Sequence, residues 1–175
     1  MSKTLKNFPN LIDEWLHKLN DILFEKELFK LDVSIISSGS SKKVWWQCKK
    51  NQDHIWQARI SDRALKKSGC PYCANRKVDK INNLRYQYPK LTKEFHPTKN
   101  GSLKPETILA NSSKVVWWRC IKDSSHEWKT RVVDRTFKNR KCGYCSNQKV
   151  SASNNLEYKF PAIAKEWHPT KNLNK

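Results

Sequence analysis

Apolar side chains crowd "KVWWQC" at 43–48 and again "VVWWRC" at 115–120, and both read as strands, in which successive side chains take opposite faces. "HIWQARI" at 54–60 and "HEWKTRV" at 126–132 follow, so each pair predicts a hairpin. In the first, Val44, Trp46 and Cys48 share a face, to which His54, Trp56, Ala58 and Ile60 are added from the second strand. This is the predicted core face, because residues two apart in a strand point the same way. Lys43, Trp45, Gln47, Gln57 and Arg59 fall on the opposite face, as do Trp117, Arg119, Lys129 and Arg131 in the second hairpin.

A helical period marks three other stretches. "FPNLIDEW" at 8–15, "YPKLTKEF" at 88–95 and "FPAIAKEW" at 160–167 place Leu11/Trp15, Leu91/Phe95 and Ile163/Trp167 four apart behind a proline. Proline suits a first helical turn, and i, i+4 residues share a face, so these predict short amphipathic helices. The expected order is helix, hairpin module, helix, hairpin module, helix, with each module flanked by two helices. From Trp15 to Trp45 is 30 positions and from Phe95 to Trp117 is 22. The extra length, within "ILFEKELFKLDVSII" at 22–36, predicts an added helix or strand.

The hairpins belong to an internal repeat. Cys48, His54, Cys70 and Cys73 recur 72 positions on as Cys120, His126, Cys142 and Cys145, spaced C-x5-H-x15-C-x2-C both times. Arg59/Arg131, Asp62/Asp134, Arg63/Arg135, Tyr72/Tyr144, Lys77-Val78/Lys149-Val150 and "HPTKN" at 96–100 and 168–172 keep the same offset. Thiolate and imidazole donors in fours suit tetrahedral zinc, and four protein ligands close the ion against water. Two structural Zn²⁺ ions are expected, on the cysteines with His54 and His126. His96 and His168 are competing ligands, each followed at once by a proline, and ligand spacing favours His54 and His126 over them. "SGCPYCANRK" and "RKCGYCSNQK" predict turns that carry the last two ligands into a helix start. Each repeat is small enough that an apolar core alone is marginal, and structural zinc contributes about 10–16 kcal/mol of apparent binding free energy that becomes folding free energy.

Composition changes the picture in two ways. At 175 residues, 37% hydrophobic and 11% aromatic, the chain is expected to fold. It has no apolar run of the ~18 residues that span a bilayer and no apolar core of a signal peptide at its start. A soluble intracellular protein is expected, in a bacterial cytoplasm or, for a virus, in host cytoplasm or virion, and its cysteines read as metal ligands rather than disulfides. Second, 35 Lys+Arg against 16 Asp+Glu give a formal charge of +19, a field that draws polyanions.

Nucleic acid is therefore the expected partner, DNA ahead of RNA, with an acidic protein as the alternative and no membrane. The candidate contacts are Lys43, Trp45, Arg59, Arg63, Lys66 and Lys67 in the first module. In the second they are Trp117, Arg119, Lys129, Arg131, Arg135, Lys138, Arg140 and Lys141. Arg63 and Arg135 are assigned to the loop before the second ligand pair, with Asp62 and Asp134 orienting the neighbouring arginine or capping the turn. Trp45 and Trp117 have two readings, a platform for a base or a surface covered by one of the helices.

The blocks "WWxC", "HxW", "CPYC" and "EWHPTKN" resemble a zinc-ribbon or treble-clef domain family that recurs in tandem in bacterial and giant-virus proteins. The resemblance spans about residues 42–175 in two copies, departing from it in the x5 knuckle, Gly143 for Pro71 and Phe95 for tryptophan. It implies zinc and a treble-clef-like fold, and related architectures accompany nuclease domains of the very-short-patch-repair type.

The fold class expected is small α+β, zinc-stabilised, with two tandem treble-clef-like modules joined by short amphipathic helices. The divisions expected are 1–41, an N-terminal helical segment; 42–100, a first module with trailing helix; 101–113, a linker; and 114–175, a second module with trailing helix. The function expected is non-enzymatic binding of nucleic acid through the phosphate backbone with weak sequence preference. The alternative is a structural or protein-interaction module, in packaging, in a virion or beside a nuclease.

Overall fold

A computed structural model describes residues 3–24, 32–168 and 170–172. Its contacts divide the chain into two compact units, Met1–Lys77 and Val78–Lys175. Each is built on one antiparallel hairpin, β1 (Lys43–Cys48) with β2 (Asn51–Arg59) in the first and β3 (Val115–Arg119) with β4 (Glu127–Arg131) in the second. No helix of the described residues is long and apolar enough to cross a membrane.

The alternation of strand faces sets both hairpins. Trp46 is paired across the strands with Trp56, and Trp118 with Trp128. All four are buried, with Val44, Ile60, Val116 and Val132 around them. The indole N–H of Trp46 donates to the Ala58 carbonyl at 3.1 Å and that of Trp118 to Thr130 at 3.2 Å, so the cores bury these rings without orphaning their polar atoms.

A two-stranded hairpin is marginal alone and has open edges, and in each unit the segment ahead of it in the chain closes one. In the first unit, Leu5–Asn7, α1 (Pro9–Ile12) and α2 (His17–Leu23) form this leading segment. Its Trp15 meets Trp46 edge-on at 5.6 Å. The Leu16 N–H donates to the Trp45 carbonyl at 3.2 Å, and Asn20 exchanges two hydrogen bonds with the Trp45 backbone, at 3.0 and 2.6 Å. In the second unit, α4 (Leu84–Gln87) and the 3₁₀ turn Leu91–Glu94 repeat the arrangement. Phe95 stands edge-on to Trp118 at 5.9 Å, His96 N–H donates to Trp117 at 3.0 Å, and Asn100 brackets the Trp117 backbone at 3.0 and 2.7 Å. Leu5 and Leu84, both fully buried, donate their N–H groups to Ile36 and Ile108.

The segment at 84–100, read from sequence as trailing the first module, thus packs on the second hairpin and lies within the second unit. The helices cover the inner tryptophans and pair with the backbone of the outer ones, leaving the Trp45 and Trp117 rings half-buried. The addition expected in 22–36 falls largely on 25–31, outside the described residues. Of the remainder, Ile22 and Leu23 end α2, and the part that follows 31 forms turns.

Two short helices follow the hairpins where loops were expected: α3 (Ile60–Ala64) and α5 (Val132–Thr136). They turn Arg63 and Arg135 inward. Arg63 is 5% exposed, with its guanidinium 5.1 Å from the Trp46 ring and 5.2 Å from Trp56, and it is paired with Glu14 and bonded to the Ser68 carbonyl. Arg135 is 7% exposed, 5.0 Å from Trp118 and 5.1 Å from Trp128, and is paired with Glu94. These two arginines are therefore withdrawn as nucleic-acid contacts. Burial lowers the Arg63 pKa, a shift that Glu14 partly offsets; the guanidinium stays charged and Glu14 compensates that buried charge.

Removing one member of a buried ion pair leaves the other uncompensated. Glu14→Ala or Glu94→Ala should therefore destabilise its unit by about 3 kcal/mol or more. Urea titration of the zinc-loaded protein measures this, and a midpoint equal to wild type would show that the arginine does not need its glutamate.

Candidate metal centres

Each repeat brings three cysteines and one histidine to a point. Cys48 ends β1 and His54 lies in β2, the strands being shifted in register between Gln47 and Cys48. Cys70 and Cys73 sit in the turns that follow α3. These are turns and not the predicted helix start: Ala74 N–H returns to Cys70 O at 3.1 Å, and Asn75 then takes φ of 50°. In the second unit Ser146 and Asn147, with φ of 56°, do the same. Left-handed asparagine stops a helix after one turn. Gly143 and Pro71 occupy the same turn, each accepting at 2.8 Å from the residue five positions on, so that substitution leaves the geometry intact.

The donor atoms of Cys48, His54, Cys70 and Cys73, and those of Cys120, His126, Cys142 and Cys145, all lie within 4.8 Å of one another in each set. Cys48 Sγ is 3.6 Å from Cys73 Sγ, and His54 Nδ1 is 3.6 Å from both Cys70 and Cys73 Sγ. The second set gives 3.6 Å between Cys120 and Cys145, with His126 Nδ1 at 3.8 and 3.6 Å from Cys142 and Cys145. A tetrahedron with zinc–sulfur bonds of about 2.3 Å and zinc–nitrogen bonds of about 2.0–2.1 Å has edges of about 3.8 Å between sulfurs and 3.6 Å from sulfur to nitrogen. The residues fit two structural zinc ions, with Nδ1 as the imidazole donor.

The competing histidines do something else. His96 is buried and its Nε2 is 2.7 Å from Glu127 Oε1. His168 lies on the surface.

The thiols need the metal. Burial and the neighbouring Cys48 and Cys70 push the Cys73 thiol up to about 12, and Cys145 is pushed up to about 12 in the same way. Burial also raises Cys48, but backbone N–H groups of Lys50 and Asn51 and the adjacent thiols outweigh it and leave that pKa below the ordinary value. Three thiolates at this separation repel unless a cation sits among them. Around each ion, Tyr72 stacks on His54 and Tyr144 on His126, centroids 4.8 Å apart. At the outer nitrogens, His126 Nε2 faces Asp123 Oδ2 at 3.2 Å and Ser151 Oγ at 3.2 Å, and Asn51 stands beside His54 Nε2 at 3.2 Å. A carboxylate on the far imidazole nitrogen fixes the tautomer and strengthens the ligand.

The surface candidates separate by position. Lys43 and Arg59 pair across the outer face of the first hairpin, beside Trp45, and Lys66, with Lys67 after it, follows α3, its ammonium 2.8 Å from Asp62. In the second unit Arg131 is held by Asp134 at 2.9 and 3.2 Å, and Lys138 lies 3.3 Å from the same carboxylate. Asp134 therefore orients Arg131 and not the neighbouring Arg135, and Asp62 pairs with Lys66 and not with Arg63. Lys129 and Trp117 face each other across the strands, and the ammonium groups of Lys99 and Lys129 each lie 4.9 Å from the Trp117 ring centroid. Arg119 is exposed on β3.

Lys129, Arg140 and Lys141 come together with Lys149 and Gln148 along a groove of about 620 Å³ beside Trp128. Its lining holds four cations and no carboxylate. Lys149 and Lys99 were not among the sequence candidates. Both belong to repeated blocks, Lys77-Val78/Lys149-Val150 and "HPTKN", which carried the signal.

The family described as "Probable Treble clef zinc finger domain" matches residues 11–76 and 91–148. Both matches begin inside a leading segment and end after the last ligands, in the order in which each unit folds. No curated protein matches the chain. The chain belongs to this treble-clef zinc finger family.

Chelating the zinc should unfold both units together with loss of near-ultraviolet tryptophan signal, since metal binding supplies about 10–16 kcal/mol in comparable small domains. A retained signal would refute a structural role. Asp123→Ala should weaken zinc at the second site by about 10–100-fold and leave the first unchanged. Competition with a chromophoric chelator reads the two sites separately.

Proposed function

We propose that this treble-clef chain is a non-enzymatic nucleic-acid-binding protein that holds DNA, in preference to RNA, through the phosphate backbone with weak sequence preference. The observation that carries the reading is the groove beside the second zinc site, where Lys129, Arg140, Lys141 and Lys149 converge without a carboxylate. Cations so placed neutralise phosphates and release condensed counterions, an interaction that does not distinguish bases. The zinc anchors the hairpin on one wall and the ligand turns on the other, so the charges sit on a rigid frame.

Charge is favoured over stacking. The Trp117 ring has two lysine ammonium groups over it, a cation–π arrangement that leaves less of the ring for a base. The corresponding positions in the first unit are Gln57, Ser68, Gly69 and Lys77, so the second unit is expected to carry most of the affinity. The non-enzymatic reading follows from four protein ligands per ion, which leave no open position for a metal-bound water.

Binding to a duplex across a salt series should show a steep loss of affinity. Replacing Lys129, Arg140, Lys141 and Lys149 with alanine should flatten the log–log slope by about 3–4, at about 0.9 per phosphate contact. The same substitutions at Lys43, Arg59 and Lys67 should do less. An unchanged slope in the groove variant, with zinc retained, would sink the proposal.

A further inference from the structure

The cationic groove of the second unit is built from the chain that immediately flanks its zinc ligands. Lys129 stands three positions after His126, Arg140 and Lys141 lead directly into Cys142, and Lys149 stands four positions after Cys145. Gly143, between the last two ligands, also lines the groove.

For Lys149 the dependence is one of contact as well as sequence. Its N–H donates to the Gly143 carbonyl at 3.0 Å, and its stem crosses that residue so closely that a Cβ there would lie 3.4 Å from Lys149 Cγ. Its ammonium is 5.7 Å from the centre of the Tyr144 ring, which stacks on His126. A single ring thus separates this cation from a metal ligand. Before Cys142, Asn139 takes φ of 48° and the Arg140 N–H donates to the Asp134 carbonyl at 3.0 Å, so the turn out of α5 is set where the groove cations begin. Lys129, on β4, is held from the other wall, its ammonium over Trp117.

Loading the site affects this groove in two opposed ways. Three thiolates against Zn²⁺ leave one net negative charge beside the cations, which repels an anion. Without the ion the same cations sit on unfolded chain, and gathering them around phosphates costs backbone and side-chain entropy. The repulsion comes from one charge screened by the groove's own cations, whereas the entropy falls on the whole stretch 126–149, so organisation outweighs repulsion. We propose that the second zinc and a polyanion in the groove bind with positive coupling, each tightening the other by the same factor, as linkage requires. The inference rests on the groove being the anion site of the proposed function, and adds that zinc supply regulates it. The first site responds less. Of the four groove cations only Lys77 is kept at its equivalent positions, while Lys67 and Arg76 stand where the groove has Asn139 and Gln148.

The test withdraws zinc from the full-length protein with a chromophoric chelator at low salt, alone and with saturating duplex DNA. The step belonging to the second site is the one that Cys142→Ser with Cys145→Ser removes. Duplex should tighten that zinc about tenfold, within the usual range for linked sites. In return, the doubly substituted chain, verified to carry one zinc, should bind duplex more weakly by that factor. Alanine at Lys129, Arg140, Lys141 and Lys149 should bring the ratio of zinc affinities with and without duplex close to one, whatever the variant's own zinc affinity. Heparin, a polyanion without bases, is the second probe. If duplex binds the wild-type chain and the ratio is one or less, the coupling is overturned and nucleic-acid binding stands. Equal tightening at both zinc sites, or the full ratio in the groove variant, traces the effect to net charge and overturns the coupling too. If duplex does not bind and heparin tightens the second zinc, the nucleic-acid reading fails and the coupling stands. Failure of both polyanions to bind overturns both.

Discussion

A two-stranded hairpin cannot stabilise itself, and the structure follows from the ways in which this chain compensates. Each hairpin has a face of tryptophan and valine that must be buried, an edge that must be paired, and a turn end with no side chains to fill it. Zinc takes the turn end, tying Cys48 and His54 to Cys70 and Cys73. The leading segment takes the edge of β1 or β3 through Asn20 or Asn100, whose side-chain amide supplies both the donor and the acceptor that a neighbouring strand would have offered. The buried arginine joins the parts. It lies against the two core tryptophans, on a helix that continues the hairpin, and binds a glutamate from the leading segment. In a core this small the cation provides contact area as well as charge, since a guanidinium lies flat against indole rings. Its cost shows in the Nε of Arg63 and the Nε and Nη1 of Arg135, which are buried without a hydrogen-bond partner.

Much of this was legible in the sequence. The strands, the core face and the eight ligands follow from period two and from a spacing that repeats without a slip, because both are local or nearly local constraints. Less visible was which module a helix serves. Residues 84–100 lie between two hairpins, and proximity along the chain favours neither. The answer resides in Asn100 and Glu94, whose partners are 17 and 41 residues away. Nor could local pattern place Arg63 and Arg135. A basic residue in a lysine-rich stretch reads as surface, and only tertiary packing shows the pocket between two tryptophans. Their fixed offset was a signal, but a repeated arginine serves equally as a contact or as a core element.

The charge of the chain accordingly divides into unlike populations. Arg63 and Arg135 are internal and neutralised. Arg131, Lys66 and Lys138 lie at the surface but share carboxylates with Asp134 and Asp62, which are held below the usual carboxylate range, Asp134 by Arg131 and Asp62 by Lys66. The groove residues of the second unit stand apart because no acidic residue lines their surface. Net charge sets long-range attraction, whereas the place where a polyanion rests depends on this last group.

The two units are near copies that differ at paired positions, and the pairing explains why their leading segments stay with their own hairpins. His96 with Glu127 in the second unit replaces Leu16 and Ile55 in the first. Exchanging the segments would set Leu16 against a carboxylate that loses its imidazole and ammonium partners, and would set His96 against an isoleucine. Each mismatch strands a polar group at a partly buried joint, at a cost of about 1–3 kcal/mol. Neither arrangement is more stable for being polar or apolar; the difference between them supplies the selectivity. Tandem domains with interchangeable segments would misassemble during folding, and a single coupled change of this kind suffices to separate them.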